Sequence, residues 1–396
     1  MRVLHLSTEF PPVIWGGLGT AVGGLVVASA RAEVTVGVLL VGGVLSADGT
    51  YGAWQPVPTG ELPFDMGRIA VTSEGITFFH VAPHNGIEAG LQFARLWRPD
   101  VIHLHTSWLW PVAYGIRSAC GTPIVFTVHS LDRAEYEWGG FITHWEPQED
   151  VIRASDRVIA ISRSECELLA RYCLDVSPRV RVIGNGIDDT QAAQESSRRV
   201  RSGPPLVMFS GRFVDRKGIH ELLEAIPSVL AAEPETRFVL VGGYGTAEDM
   251  ERDWRTHALQ AHRDQVRFTG WLRAIDVARW YAASDILVVP SWYEPFGMVI
   301  LEGMLHGLAI AAAAVGGPAE ILEHERTGLL FAPRDARELG EGVLRLVRNT
   351  SLRRQLGMAA AHQARTTWLW PRLIPKMVSV YSEVTPSAPP PSSLLC

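Results

Sequence analysis

The sequence predicts an α/β protein with two domains, each built on a doubly wound parallel sheet. Three observations support this prediction. The chain has 396 residues, which is long for a single hydrophobic core. Short β-branched runs alternate with segments of helical pattern, and this order is typical of parallel sheets with helices on both faces. A polar stretch at residues 189–205 divides the runs into two groups.

The β-branched runs predict seven strands before the polar stretch and six after it. In the first group we expect strands at residues 3–6, 34–40, 76–81, 101–105, 124–129, 158–161 and 180–183. In the second group we expect strands at residues 206–210, 237–241, 266–268, 286–289, 309–313 and 329–331. Ligands of such sheets bind at the carboxyl ends of the strands, so these ends are where functional residues should lie.

The predicted division of the chain follows from these groups and from the composition of its last part. Residues 366–384 carry apolar side chains at helical spacing, and the residues after them are rich in Pro and Ser. We expect a first domain, a linker, a second domain, a terminal helix and a disordered tail at residues 1–190, 191–205, 206–365, 366–384 and 385–396.

Composition excludes several classes of protein. Hydrophobic residues make up 47% and charged residues 20% of the chain, which excludes a disordered class. A net charge of −6 without a basic run argues against a nucleic-acid partner. The four cysteines show no Cys-x-x-Cys spacing, and no apolar run approaches the roughly 20 residues that span a bilayer. The first residues form too short an apolar run for a signal peptide. We therefore expect a soluble cytoplasmic protein.

The most informative segment is residues 290–302, which contain two carboxylates with seven residues between them. Glu294 follows an apolar strand and therefore lies in the loop at its carboxyl end, whereas Glu302 lies inside the helix that begins near Gly297. Amides at the start of a helix can bind phosphate oxygens. A bound phosphate would repel the two carboxylates. The carboxylates must therefore contact a neutral part of the ligand. Sugar hydroxyls are the obvious candidates.

Basic and glycine residues follow other strands of the two groups. Arg212 and Lys217 come directly after a strand, where Arg offers a bidentate fork and Lys a point charge. Arg216 between them is expected to be a bystander. A glycine loop, Gly16-Gly17-Leu18-Gly19, follows the first strand, and Gly243-x-Gly245 follows another. Neither is the G-x-G-x-x-G fingerprint with a later acidic residue, so a dehydrogenase is disfavoured.

Several segments together resemble retaining glycosyltransferases of family 4. Residues 290–302 resemble the E-x7-E signature of these enzymes, and residues 10–19 are similar to the glycine loop also seen in glycogen and starch synthases. Residues 182–188, 209–218 and 315–331 match further blocks in the expected order. The resemblance implies a GT-B fold, in which two Rossmann-like domains face a central cleft and the terminal helix crosses back onto the first domain.

The resemblance also implies a site for a nucleotide-sugar donor. Arg212 and Lys217 would contact the diphosphate, and Glu302 the ribose hydroxyls. Glu294 would contact hydroxyls of the reacting sugar, while the backbone near Gly270 holds the base. We expect the donor site to comprise Gly16, Gly17, Arg212, Lys217, Gly270, Trp271, Glu294, Phe296, Gly297, Met298 and Glu302.

Histidine and tryptophan residues complete the predicted site. His129 resembles the active-site histidine of the family, so the expected catalytic set is His129, Glu294, Arg212 and Lys217. Trp15 and Trp108 are expected to line the acceptor pocket, because aromatic faces suit sugar rings, and the resemblance implies the same place for His105. His103 and His105 form a His-x-His pair, but the sequence shows no evident third ligand. We expect no metal and no cofactor.

These expectations amount to one function with two alternatives. The chain would transfer a hexose from a nucleotide sugar to a hydroxyl of a water-soluble acceptor with an α-linkage. Residues 20–32 contain Arg31 as their sole base, which disfavours a membrane lipid as acceptor. The alternatives are a non-hydrolysing sugar-nucleotide epimerase and a non-catalytic sugar-nucleotide binding protein. The donor base, the donor sugar and the acceptor stay open at this point.

Overall fold

The computed structural model describes most of the chain. Of residues 55–56, 67–70 and 191–192 it describes the backbone alone. Trp15, Gly245 and residues 386–396 of the expected tail lie outside the described residues. The described residues are 1–11, 14, 16–42, 55–56, 67–72, 74–139, 142, 144–197, 203–243 and 259–385.

A first sheet contains nine strands among the described residues. These strands are β1 (Arg2–Ser7), β2 (Thr35–Val41), β3 (Gln55–Pro56), β4 (Gly67–Val71), β5 (Thr77–Val81), β6 (Val101–Leu104), β7 (Ile124–Val128), β8 (Arg157–Ala160) and β9 (Val180–Val182). Their order across the sheet is β3-β4-β5-β2-β1-β6-β7-β8-β9. Pairing is parallel from β5 to β9 and antiparallel at β3-β4 and β4-β5.

Helices cover both faces of the first sheet. Side chains alternate between the faces along each strand, so Val3 packs on one side with Val26 while Leu4 and Leu6 pack on the other with Ile116. The helices are α1 (Gly17–Arg31), α2 (Gly86–Trp97), α3 (Trp110–Cys120), α4 (Asp132–Glu137), α5 (Glu146–Ala154) and α6 (Arg163–Tyr172). Short 3₁₀ segments lie at Pro83–Asn85, Ser107–Leu109 and Leu174–Arg179.

A second sheet contains six strands among the described residues, all paired in parallel. The strands are β10 (Leu206–Gly211), β11 (Arg237–Gly242), β12 (Val266–Gly270), β13 (Ile286–Val289), β14 (Ala309–Ala313) and β15 (Leu329–Phe331). Their order is β12-β11-β10-β13-β14-β15. The chain moves outward in opposite directions from β10 and from β13. These two neighbours therefore mark the switch point at which ligands bind in doubly wound sheets.

Helices also flank the second sheet. They are α7 (Gln191–Ser197), α8 (Ile219–Ala232), α9 (Ala274–Ala283), α10 (Met298–Leu305), α11 (Gly316–Ile321), α12 (Ala336–Arg348) and α13 (Thr350–Gln363). Two 3₁₀ turns lie at Asp215–Lys217 and Gln260–His262. Apolar side chains form a core on each face of the sheet, with Val288 and Leu240 on one face and Leu287 and Val239 on the other.

The last described helix returns to the first sheet. A π-helical turn at Ala364–Trp368 precedes α14 (Trp370–Val384). Leu373 and Met377 of α14 share a hydrophobic cluster with Val26 of α1. The Tyr381 hydroxyl lies 2.7 Å from Nδ1 of His103. Apolar packing and a buried polar contact thus hold α14 against the first domain.

The thirteen expected strands are all present, and their ends shift by no more than two residues. The architecture of two Rossmann-like domains is confirmed. The antiparallel edge strands β3 and β4 were not predicted from the sequence. The two residues of β3 are too few to form a hydrophobic pattern, whereas the five-residue β4 was overlooked. Part of the expected linker is the helix α7. The domain limits at residues 190, 205 and 365 stay a prediction.

Candidate active site

A cleft of about 1300 Å³ lies between the carboxyl ends of the two sheets. It collects segments that are far apart in the sequence, because the strand ends of both sheets open into the same space. The predicted residues that line it are Gly16, Gly17, His129, Arg212, Lys217, Trp271, Glu294, Phe296, Gly297, Met298 and Glu302. The sequence-based donor residues therefore meet in one place, apart from Gly270.

The loop from β13 to α10 is held tightly at the floor of the cleft. Gly297 precedes α10 with a φ of 99°, a left-handed conformation that favours glycine. The amide of Gly317, on α11, donates a hydrogen bond to the carbonyl of Glu294 at 3.0 Å. A Cβ at Gly317 would overlap the backbone of Phe296. This close approach fixes where the Glu294 side chain and the first amides of α10 lie.

Glu294 forms a buried ion pair with Lys217. The Lys217 Nζ lies 2.5 Å from Oε2 of Glu294, and the Ser291 hydroxyl donates to the same oxygen at 3.1 Å. Gly218, next to Lys217, has a φ of 69° and packs against Pro290. Burial alone would raise the pKa of Glu294, but Lys217 and Arg216 more than offset it, so this pKa lies below its ordinary value. Glu294 is therefore a charged acceptor of hydrogen bonds.

Glu302 and Arg212 line the same half of the cleft in different environments. Glu302 lies on α10 and is partly buried, and this burial raises its pKa to about 7. Arg212 follows β10 directly and is exposed. The two carboxylates of the E-x7-E segment thus differ, since one is ionised by its cation and the other titrates near neutral pH.

His129 begins a chain of hydrogen-bonded imidazoles. It follows β7, lines the cleft, and its Nε2 lies 3.2 Å from Nδ1 of His105. The Nε2 of His105 in turn lies 2.9 Å from Nδ1 of His5, which is fully buried. Burial lowers the pKa of His129 to about 4 and that of His5 to about 3. The imidazole of His129 is therefore neutral near pH 7.

Two of the predicted acceptor residues lie elsewhere than expected. His105 is 2% exposed and lies behind His129, so it contacts that ring rather than the cleft. Trp108 is 79% exposed and is not among the described residues that line the cleft. The Thr106 hydroxyl accepts from the amide of Trp108 at 3.4 Å and caps the turn that carries this side chain outward. Trp15 lies outside the described residues.

Gly270 also departs from the prediction in its detail. It ends β12 with a φ of 64°, but among the described residues it is the neighbouring Trp271 that lines the cleft. Trp271 is 44% exposed. The left-handed conformation at Gly270 turns the chain so that the indole of Trp271, and not Gly270 itself, lines the cleft.

The structure shows a third imidazole beside the His-x-His pair. Nitrogen atoms of His5, His103 and His105 lie within 4.8 Å of one another. The His103 nitrogens already lie 2.7 Å from the Tyr381 hydroxyl and 2.6 Å from that of Thr127. A metal ion would have to displace these partners. That no metal is needed stays a prediction.

Arg216 has a structural contact that sequence reasoning missed. It is buried and lines the cleft, and its expected role as a bystander to the phosphates stays a prediction. Its Nη2 lies 3.0 Å from Oε1 of Glu135 on α4, and its Nη1 donates to the carbonyl of Tyr293 at 3.3 Å. The ion pair joins two segments 81 positions apart, and no local spacing could have revealed it.

The fold and the site define a class of protein, the GT-B glycosyltransferases. The structure is similar to sucrose-phosphate synthase from Thermosynechococcus elongatus, with a TM-score of 0.75 at 22% identity over 96% of this chain and 98% of the other. This likeness concerns the fold.

Sequence comparison then gives the family. The model of "Glycosyltransferase Family 4" matches residues 15–191, and that of "Glycosyl transferases group 1" matches residues 204–349. The chain is 28% identical to glycogen synthase of Mycobacterium tuberculosis, over 96% of this chain and 94% of that protein. It is 30% identical to D-inositol 3-phosphate glycosyltransferase of Salinispora arenicola, over 75% of this chain and 71% of that protein. The chain belongs to glycosyltransferase family 4 and is a glycosyltransferase.

Within the residues that the structure describes, every helix is too short or too polar to cross a bilayer.

Proposed function

We propose that this glycosyltransferase acts in the cytoplasm and moves a hexose from a nucleoside-diphosphate sugar to a hydroxyl of a water-soluble acceptor, with retention and an α-linkage. The observation that carries the proposal is the buried pair of Lys217 and Glu294 at the switch point of the second sheet. A cation for the leaving phosphate and a carboxylate for the sugar hydroxyls stand side by side there.

The donor occupies the half of the cleft formed by the second sheet. Arg212 and Lys217 neutralise the diphosphate, helped by the free amides at the start of α10. Glu302 accepts hydrogen bonds from the ribose hydroxyls, and Trp271 lies beside the base. Glucose is the first sugar to test, since one relative of this chain is a glycogen synthase.

The reaction is a same-face displacement. The bond between the anomeric carbon and the leaving phosphate oxygen breaks, and a bond to the acceptor oxygen forms on the same face. The acceptor proton passes to the departing phosphate. Glu294 pairs with Lys217 and is not one half of two carboxylates that flank a glycosidic bond, so a covalent intermediate on it is disfavoured. Catalysis is then positioning and charge stabilisation, with neutral His129 orienting the reacting sugar.

A donor screen tests this proposal. UDP-glucose, ADP-glucose, GDP-mannose and UDP-N-acetylglucosamine are each mixed with the protein, with and without pooled acceptors and with a chelator. We expect release of nucleoside diphosphate from one donor, insensitivity to the chelator, and an α-anomeric proton in the product by NMR. A β-linked product from an α-donor contradicts retention. A sugar isomer without nucleotide release identifies an epimerase, and tight binding without turnover identifies a sensor.

A further inference from the structure

The two walls of the cleft carry opposite charges. The wall formed by residues beyond 203 contributes the cations Arg212, Arg216, Lys217 and Arg273 and the carboxylates Glu294 and Glu302, so its net charge is positive. The facing wall, formed by the described residues before 198, contributes the carboxylates Glu9, Asp132, Glu135 and Asp188 and no lysine or arginine. The first wall is the donor side proposed above, so the second is where the acceptor lies.

The sequence supports the negative charge of the second wall, which we call the acceptor wall. The first lysine of the chain is Lys217. Before residue 198, the positions that the structure does not describe (12, 13, 15, 43–54, 57–66, 73, 140, 141 and 143) contain no lysine or arginine, whereas positions 198–202 contain Arg198, Arg199 and Arg201.

Of the neighbouring cations, Arg31 lies close enough to Asp188 to oppose the rise of its pKa, whereas Arg133 is engaged elsewhere. Arg133 directly follows Asp132, but it pairs with Glu137 at 3.4 Å and Glu149 at 3.6 Å and lies over the ring of Tyr172. It is therefore held by other acidic groups and by an aromatic face, so it does not offset the carboxylates of the wall.

The carboxylates of this wall differ in how far a nearby cation balances their negative charge. Glu135 pairs with Arg216. Asp132 accepts a hydrogen bond from the side-chain amide of Gln148 at 3.2 Å and has no ion pair within the described part of the chain. Burial and the nearby Glu135 raise the pKa of Asp132 to about 7, and burial also raises that of Asp188. Asp132 is therefore mostly ionised only above pH 7, and the wall gains its negative charge there.

A second anion on this wall would meet direct repulsion. Like charges a few ångströms apart in a partly buried site repel strongly, because the effective dielectric constant there is well below that of water. A sugar hydroxyl can donate a hydrogen bond to a carboxylate, whereas an ionised phosphate has no hydrogen to donate. The same wall therefore favours hydroxyls and disfavours phosphates.

We propose that the acceptor is a neutral sugar or polyol, with no phosphate or carboxylate on the part that enters the cleft. This inference rests on the proposed function, because the cleft serves an acceptor only if the protein transfers a sugar.

Two acceptor pools test the inference. One contains glucose, maltose, sucrose, glycerol and myo-inositol, and the other glucose 1-phosphate, glucose 6-phosphate, sucrose 6-phosphate, glycerol 3-phosphate and inositol 3-phosphate. Nucleoside diphosphate release is followed with the active donor, and products are read by mass spectrometry. We expect the neutral pool to raise release at least tenfold over donor alone and the phosphate pool to leave it at the level of hydrolysis.

Three other outcomes are distinguishable. Faster release with the phosphate pool overturns the inference and leaves the proposed function standing. Hydrolysis that neither pool accelerates also overturns it, because a neutral acceptor is then not used. No turnover of any donor under any condition removes the proposed function itself, and the inference with it.

A pair of variants tests the charge directly. Asp132→Asn keeps the shape and the contact with Gln148 but removes the charge. We expect it to raise the ratio of kcat/KM for glucose 6-phosphate to that for glucose at least tenfold. Asp175→Asn is the matched control, since Asp175 is 59% exposed and does not line the cleft among the described residues, and it should leave the ratio unchanged. An unchanged ratio in Asp132→Asn overturns the role of this wall.

Discussion

At the scale of the residue, the protonation states of the cleft decide which groups can do chemistry. Glu294 is held ionised by Lys217, Glu302 titrates near pH 7, and His129 is neutral because burial disfavours its cation. A neutral imidazole can orient a hydroxyl by a hydrogen bond. It does not act as a cationic acid near pH 7, so His129 is a positioning group in this account.

The pH dependence of His129→Gln tests this assignment. The pKa of His129, lowered to about 4, means that its cation forms only well below neutral pH. We expect His129→Gln to reduce kcat about tenfold or more while the shape of the kcat profile between pH 5.5 and 8.5 stays as in the wild type. If kcat of the wild type changes with pH near 6.5 and kcat of the variant does not, the imidazole titrates during turnover. That result would contradict the assignment.

The imidazole chain behind His129 shows where sequence reasoning stops. Strand ends are local, so the positions of Arg212, Lys217, Glu294 and Glu302 could be predicted from the runs that precede them. The contact of His105 with His5 spans 100 positions between neighbouring strands and depends on their register. The exposure of Trp108 depends on one turn capped by Thr106. Neither feature leaves a periodic pattern.

At the scale of the element, the site depends on how closely α11 approaches the loop after β13. Gly317 lies against Phe296 without room for a side chain. A single methyl group there must push the loop that carries Glu294 and the first turn of α10. The element that fixes the position of the Glu294 loop therefore lies outside the E-x7-E segment itself.

Gly317→Ala tests this dependence. We expect donor turnover to fall at least tenfold, since displacements of about 1 Å at a catalytic group can cost about a hundredfold. Gly342→Ala on α12 is the control, because no atom lies within 4 Å of its added methyl group. That variant should keep full turnover and gain about 0.5–1 kcal/mol of stability from helix propensity. Full turnover in Gly317→Ala would contradict the packing argument.

At the scale of the whole molecule, an ion pair and the hydrogen bonds of a tyrosine hydroxyl join the two domains around the cleft. Arg216 reaches Glu135 of the first domain. The hydroxyl of Tyr293 donates to Glu165 at 3.0 Å and accepts from the amide of Leu131 at 3.0 Å. These contacts hold the donor wall and the acceptor wall at a fixed separation, which a reaction between two bound substrates requires.

Arg216→Ala tests the contribution of this junction. Removing one partner of a buried pair leaves the other charge uncompensated and costs about 3 kcal/mol of unfolding free energy. We expect a lower Tm, a larger radius of gyration by small-angle scattering and a higher KM for the donor. Glu135→Gln in the same background should recover part of the loss.

The control for that experiment is Arg326→Ala. It removes the exposed pair of Arg326 with Glu323, which is worth less than about 1 kcal/mol. Equal effects of Arg216→Ala and Arg326→Ala on Tm and scattering would show that the junction does not hold the two domains together.

The most direct test of the central claim compares Glu294→Gln with Glu341→Gln. The first variant keeps the shape of the carboxylate beside Lys217 but removes its charge. The second changes an exposed glutamate that pairs with Arg337 on α12. Nucleoside diphosphate release and the Kd for nucleoside diphosphate are measured for both. We predict at least a hundredfold loss of turnover in Glu294→Gln with less than a threefold change in Kd, and wild-type values in Glu341→Gln. Wild-type turnover in Glu294→Gln would contradict the account.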